Sequence, residues 1–160
     1  MKILAIIPAR SGSKGIPFKN IQKLAGKSLL QYTIETAKQS KKVNKILVST
    51  DSPQIAKLAK LAGAEAPFLR PKNISGSSSS TIDTIKHVLK YFSKNYEPDI
   101  IVILQPTSPF RTPMMIDTAI TLLQKSKATS VVSVSKGKIH PYRSFFYVKN
   151  FLKPFKANHE

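Results

Sequence analysis

Cysteine is absent from the chain, which excludes disulfide cross-links, thiolate metal sites and a cysteine nucleophile, and fits a reducing compartment. Acidic residues are scarce: eight Asp and Glu stand against 26 Lys and Arg in 160 residues. No segment approaches the roughly 20 apolar residues that a membrane span needs. The stretch from Met1 to Pro8 is one lysine and a short apolar run closed by proline, too short for a secretory signal. The glycine spacings of the Walker A loop and of G-x-G-x-x-G are missing, and so is the basic-aromatic signature of RNA-binding modules. The expectation is a soluble, cytoplasmic protein with neither a membrane nor a nucleic-acid partner.

What is present is an ordinary globular balance, 41% hydrophobic and 21% charged, in one domain's length of chain. The net charge of +18 has two readings. It favours anionic partners such as nucleotides or acidic sugars, or it reflects lysines spread over solvated helix faces. Balancing acidic residues outside this chain would contribute to the same excess.

Hydrophobic periodicity alternates between strand and helix. Ile3 to Ile7 is a continuous apolar run suited to a parallel strand covered on both faces. A polar loop from Ala9 to Lys27 follows, and Ser28 caps a helix that runs to about Ser40. Lys45 to Ser49 is a second strand. Asp51 or Ser52 caps the next helix, Pro53 occupies its first position, and Gly63 stops it. Glu65 to Leu69 reads as a short third strand. A Ser-rich loop precedes a helix carrying Ile85, Val88, Leu89 and Phe92, and Ile100 to Leu104 is the strongest strand. Thr112-Pro113 opens a further helix, Ser130 to Val134 reads as a strand, and the aromatic tail forms a hairpin around Lys149-Asn150. This order predicts an α/β fold, a Rossmann-like three-layer sandwich with a mostly parallel sheet and ligands beyond the carboxyl ends of its strands.

Two of the loops at those ends carry chemistry. After the first strand come Pro8-Ala9-Arg10-Ser11-Gly12-Ser13-Lys14-Gly15-Ile16-Pro17-Phe18-Lys19-Asn20. Gly12 and Gly15 let successive N–H groups turn toward an anion. Arg10, Lys14 and Lys19 put three cations within ten residues, a density that suits a triphosphate; an ordinary basic surface loop is the bland alternative. After the Ile100 strand come Gln105-Pro106-Thr107-Ser108-Pro109-Phe110-Arg111. The prolines stiffen the loop, and the Gln105 amide suits a sugar hydroxyl or carboxylate, or else bonds backbone in a structural turn.

The segment Ile7 to Asn20 resembles the signature of the acylneuraminate cytidylyltransferases, the CMP-sialic acid synthetases. Val48-Ser49-Thr50-Asp51, Leu69-Arg70-Pro71 and Leu104 to Arg111 resemble further motifs of that family, in order and spacing. The resemblance implies a nucleotide-diphospho-sugar-transferase type of fold and a reaction. The anomeric hydroxyl of a nine-carbon acidic sugar attacks the α-phosphate of CTP, giving a CMP-sugar and pyrophosphate. It implies that Arg10 and Asn20 hold the ribose side and that Ser13, Lys14 and Lys19 hold the phosphates. It places Arg70 at the cytosine with backbone near Ser80, and Gln105 and Arg143 at the sugar. Lys19, Gln105 and Arg143 are thus the catalytic candidates; His140 is a proton acceptor or a structural histidine. Ser77 stands where relatives commonly carry an acidic residue.

Relatives continue beyond the position matching Glu160 and carry there two aspartates for Mg²⁺, so the resemblance implies that the C-terminal part is missing from this chain. No metal ligand is therefore assigned within it, and Asp51 is expected as a helix cap. Residues 1–138 are expected to form the nucleotide-binding domain. Residues 139–160, with Phe145, Phe146, Tyr147, Phe151 and Phe155, would begin a dimerisation and sugar-site element, giving a homodimer when full length. Such a chain would bind CTP yet turn over poorly; a non-catalytic nucleotide- or anion-binding fragment is the alternative.

Overall fold

The computed structural model describes residues 1–12, 15–93 and 96–134, and the backbone of two strands at 145–148 and 151–154. Four elements set the frame: β1 (Ile3–Pro8), α1 (Leu29–Gln39), β4 (Lys45–Ser49) and β5 (Ile100–Ile103). Two short strands lie between β1 and α1: β2 (Lys23–Leu24) and β3 (Lys27–Ser28). The sheet order is β4-β1-β5, and both pairings are parallel, with Ala5 opposite Ile46 on one side and Val102 on the other.

The run of apolar residues in β1 is explained by two cores. Ile3, Ala5 and Ile7 face one side with Leu30 and Ile34 of α1, Ile55 and Ala59 of α2 (Pro53–Leu61), and Ile116 and Ile120 of α4 (Pro113–Lys125). Leu4 and Ile6 face the other side with Leu47 and with Val88 and Phe92 of α3 (Thr81–Phe92). Leu4, Ile6 and Ile7 are fully buried, each worth roughly 1.5–3 kcal/mol relative to exposure. The expected three-layer arrangement is therefore observed, with β1 central and helices on both faces.

Side-chain caps set the helix starts. Ser28, Ser52, Ser80 and Thr112 each accept a backbone N–H of the first turn, and Pro53 and Pro113 follow their caps directly. Asp51, expected as a possible cap, is not one: Ser52 takes that place, and Asp51 binds elsewhere.

Two expected strands are not formed. Glu65 makes a single parallel bridge to Leu47, and the ladder stops there because Pro67 has no N–H to continue it. Ser130 to Val134 pairs with no strand among the described residues, and Val132 and Val134 are exposed. β-branched residues favour extended backbone but do not supply a partner. Within the expected polar loop, β2 and β3 form a small hairpin through Ala25 (φ +47°) and Gly26 (φ +86°). Two left-handed residues make the tight turn whose twist matches the strands. The tail forms the expected hairpin, β6 (Phe145–Val148) pairing antiparallel with β7 (Phe151–Pro154).

A basic cleft at the carboxyl ends of the strands

The loops that leave β1 and β5, the segment around Arg70 and the start of α3 converge on one cleft of about 600 Å³. Of the residues singled out in the sequence, Arg10, Lys19, Asn20, Arg70, Ser80 and Gln105 all line it. Ser13, Lys14, His140 and Arg143 lie outside the described residues.

Each wall has a distinct physical basis. On the β1 side, Ala9 N–H donates to the Ser49 carbonyl at 2.9 Å, extending the ladder one residue past the strand. The buried Asn20 donates its side-chain N–H to the Arg10 carbonyl at 2.9 Å, closing a loop of ten residues. That bond uses the Asn20 amide group and leaves its side-chain oxygen to accept. Arg10 and Lys19 are half-buried beside it.

Arg70 is the most deeply placed cation, 6% exposed. Its N–H donates to the Thr50 carbonyl at 2.6 Å, and its Nη1 donates to Thr84 Oγ1 at 2.7 Å. Its Nε is buried without a partner among the described residues. Burial lowers the guanidinium's proton affinity; the charge of Asp51 works against that and the charge of Arg10 adds to it. A buried cation with an unused donor and a like charge nearby has affinity to spare for an anion or a polar ring edge.

The first turn of α3 forms the floor. Its N–H groups carry the positive end of the helix dipole. Ser80 is not a free hydroxyl, however. Its Oγ and N–H both donate to Asp83 Oδ2, and it accepts from Asp83 N–H, a complete capping box. What Ser80 can offer a ligand without breaking that box is its carbonyl.

Gln105 is exposed at the rim, and among the described residues its side-chain amide makes no hydrogen bond. Its carbonyl accepts from Arg111 Nη2 at 3.3 Å. Arg111 is half-buried under that loop, has Nη1 without a partner among the described residues, and is held below its usual proton affinity by burial. Sequence reasoning singled out neither Arg111 nor Thr84 as a contributor. The Arg at the end of a proline-stiffened loop was a readable signal for the first; nothing in the sequence marked Thr84.

Asp51 lies behind the β1 loop. Burial would raise its pKa, but bonds from Ser11 Oγ and N–H, its own backbone N–H and the charge of Arg70 outweigh this and hold it below the usual carboxylate range. Among the described residues no cluster of three or more His, Cys, Asp or Glu forms a metal site. None of the helices found there is long and apolar enough to cross a membrane.

Fold and cleft define a class: a parallel-sheet α/β protein whose cationic site lies beyond the strands' carboxyl ends. The profile described as cytidylyltransferase matches residues 4–156, and the chain belongs to that family. It is 44% identical over 157 residues to the CMP-N,N'-diacetyllegionaminic acid synthase of Legionella pneumophila, covering 96% of this chain and 67% of that one. It is 46% identical over 136 residues to the N-acylneuraminate cytidylyltransferase of Escherichia coli, covering 84% of this chain and 32% of that one. Among solved structures it is similar to a CMP:2-keto-3-deoxy-manno-octonic acid synthetase complexed with CTP. That match is 26% identical with a TM-score of 0.68, over 80% of this chain and 49% of that one. The chain thus spans from about a third to two thirds of the length of these proteins.

Proposed function

We propose that this chain carries the nucleotide site of a CTP:acylneuraminate-type cytidylyltransferase. The observation that carries the reading is the gathering of Arg10, Lys19, Arg70 and the α3 amino terminus around one cleft in a chain of this family. The nucleotide is CTP and the acceptor a nine-carbon acidic sugar, sialic or legionaminic acid or a close relative. The anomeric oxygen forms a bond to the α-phosphorus, the α–β anhydride bond breaks, pyrophosphate leaves, and the hydroxyl proton is lost to a base.

The chain's own residues contribute positioning and charge, which dominate such steps. Lys14 and Lys19 neutralise phosphate oxygens, and Ser13 hydrogen-bonds to them. Arg10 and Asn20 hold the ribose side, Asn20 through its side-chain oxygen, which has no partner among the described residues. Arg70 reads the cytosine with the part of its guanidinium that lines the cleft, beside the Ser80 carbonyl. Gln105 and Arg143 bind the sugar, whose carboxylate needs a cation. Mg²⁺ would neutralise the phosphates further. The described residues do not fit a site for it, since the carboxylates near the cleft, Asp51 and Asp83, are spent on Ser11 and on Ser80. The site acts in the cytoplasm, and the full-length protein is a homodimer.

The test is pyrophosphate release from CTP with N-acetylneuraminate, a legionaminate, a pseudaminate and a neutral hexose. Release that depends on a carboxylated nine-carbon sugar is expected, at a low rate for this chain. Release that is independent of the sugar, or equal with the hexose, would refute the reading.

A further inference from the structure

We propose that Asp51 is a positioning residue: its carboxylate latches the loop after β1 to the end of β4 and so sets where Arg10 and Lys19 stand in the cleft.

The geometry is a two-point bond. Asp51 Oδ1 accepts from Ser11 N–H at 2.8 Å and Oδ2 from Ser11 Oγ at 2.6 Å. Both carboxylate oxygens are engaged by one residue, so the loop is fixed in orientation as well as in distance. The latch continues the β1–β4 ladder, whose last backbone rung is Ala9 N–H to Ser49. Two residues later the chain reaches Ser11, where the backbone pairing has ended and a side chain takes over.

The same dipeptide also anchors the opposite wall. The Thr50 carbonyl accepts from Arg70 N–H at 2.6 Å. Thr50-Asp51 therefore holds the β1 loop with a side chain and the Arg70 segment with its backbone, and sets the separation of two cationic walls.

A carboxylate is otherwise an odd choice here. It stands among cations that face an anion, and its negative charge opposes anion binding. Helix capping does not explain it, because Ser52 caps α2. Latching does: an ionised carboxylate accepts two hydrogen bonds more strongly than a neutral side chain can.

The proposal rests on the reading of the cleft as a CTP site only for its consequence in affinity; the latch itself is tested separately. The full chain is compared with Asp51→Ala, Asp51→Asn and Ser11→Ala, each checked for folding by circular dichroism. Asparagine can accept from Ser11 N–H with its oxygen and donate to Ser11 Oγ with its nitrogen, so it keeps the latch without the charge. Three quantities are read: hydrogen exchange of the Ser11 amide, the Arg10 and Lys19 amide resonances, and CTP affinity by calorimetry.

In Asp51→Ala the Ser11 amide should exchange about tenfold faster, the Arg10 and Lys19 resonances should move, and CTP should bind about tenfold more weakly. Asp51→Asn should restore all three to within about threefold, and Ser11→Ala, which keeps the backbone bond, should fall between. Restoration by asparagine is what a loss of general stability would not produce. If Asp51→Ala does not fold, Ser11→Ala against Asp51→Asn decides the matter. Should the parent chain fail to bind CTP, the nucleotide reading fails, while exchange and resonances still judge the latch. The proposal is overturned if a folded Asp51→Ala leaves exchange or resonances unchanged. It is also overturned if exchange changes while CTP affinity does not, or if asparagine restores nothing.

Discussion

Replacing Arg70 by methionine should weaken CTP binding while leaving the fold as stable as before, or more so. Arg70 is a buried cation whose side chain, among the described residues, makes one hydrogen bond, to Thr84, and leaves its buried Nε without a partner. Removing a guanidinium from water costs several kcal/mol even after relaxation. The bond to Thr84 returns about 1.5–3 kcal/mol. The charge of Asp51 offsets part of the remaining cost, and the charge of Arg10 opposes it. The Asp51 carboxylate is not orphaned by the substitution, because both its oxygens accept from Ser11. Thr84 loses its donor but lies in a helix, where its hydroxyl can bond the carbonyl one turn back. The balance favours the apolar side chain by about 0–2 kcal/mol, or a melting temperature higher by about 0–8 °C in a chain of this size. CTP affinity should fall about 10–100-fold, the value of one lost charge-assisted bond. Thermal melting by circular dichroism and calorimetric titration read the two effects on one preparation. A melting temperature lower by more than about 5 °C would mean that Arg70 is a structural keystone. Unchanged affinity would remove it from the site.

Two further predictions concern the frame. Asp117 accepts from Ser40 Oγ and from the N–H groups of Lys41 and Lys42, pinning the α1–β4 turn to α4. Burial alone would raise its pKa, but those bonds and the charge of Lys42 hold it lowered, so its contribution is present above the unfolded carboxylate pKa of about 3.9 and is lost as pH falls through the lower folded value. Asp117→Ala should cost about 1–3 kcal/mol at pH 7, and its deficit against the parent should shrink below about pH 4 in urea unfolding; a deficit independent of pH would contradict this. Arg111→Lys, which replaces the planar guanidinium that donates to the Gln105 carbonyl, should raise the sugar concentration for half-maximal pyrophosphate release about 3–10-fold with CTP affinity unchanged. Equal effects on both ligands would show that the Gln105 loop does not act on the sugar alone.

Much of the frame was legible because local rules and the global fold agree. Apolar runs in β1, β4 and β5 marked strands buried on both faces, and Ser or Thr before an apolar repeat marked helix starts at Ser28 and Thr112, whereas at α2 the expected cap was Asp51 and the observed one is Ser52. Errors fell where a strand needs a partner. Pro67 limits the Glu65 segment to one bridge, and the valines near 132 have local preference without a ladder among the described residues. The hairpin at Ala25-Gly26 was missed because its turn lacks the Asn-Gly signal and places alanine at φ +47°. The residues at the cleft were legible as types, since cations and glycines after a strand point to an anion. Their commitments were not: that Asn20 spends its amide on Arg10, Ser80 its hydroxyl on Asp83, and Asp51 its carboxylate on Ser11 depends on residues up to 40 positions apart.

The central claim is a CTP-selective site on this chain, and calorimetric titration of CTP against ATP, GTP and UTP at physiological salt, with and without Mg²⁺, tests it most directly. The account predicts that CTP binds in preference to the other three and that Arg10→Ala and Arg70→Ala each abolish that preference. Equal binding of all four nucleotides, weakening steeply with salt as counterion-driven binding does, would instead make the cleft a general anion site. No binding by a folded chain would contradict the account outright.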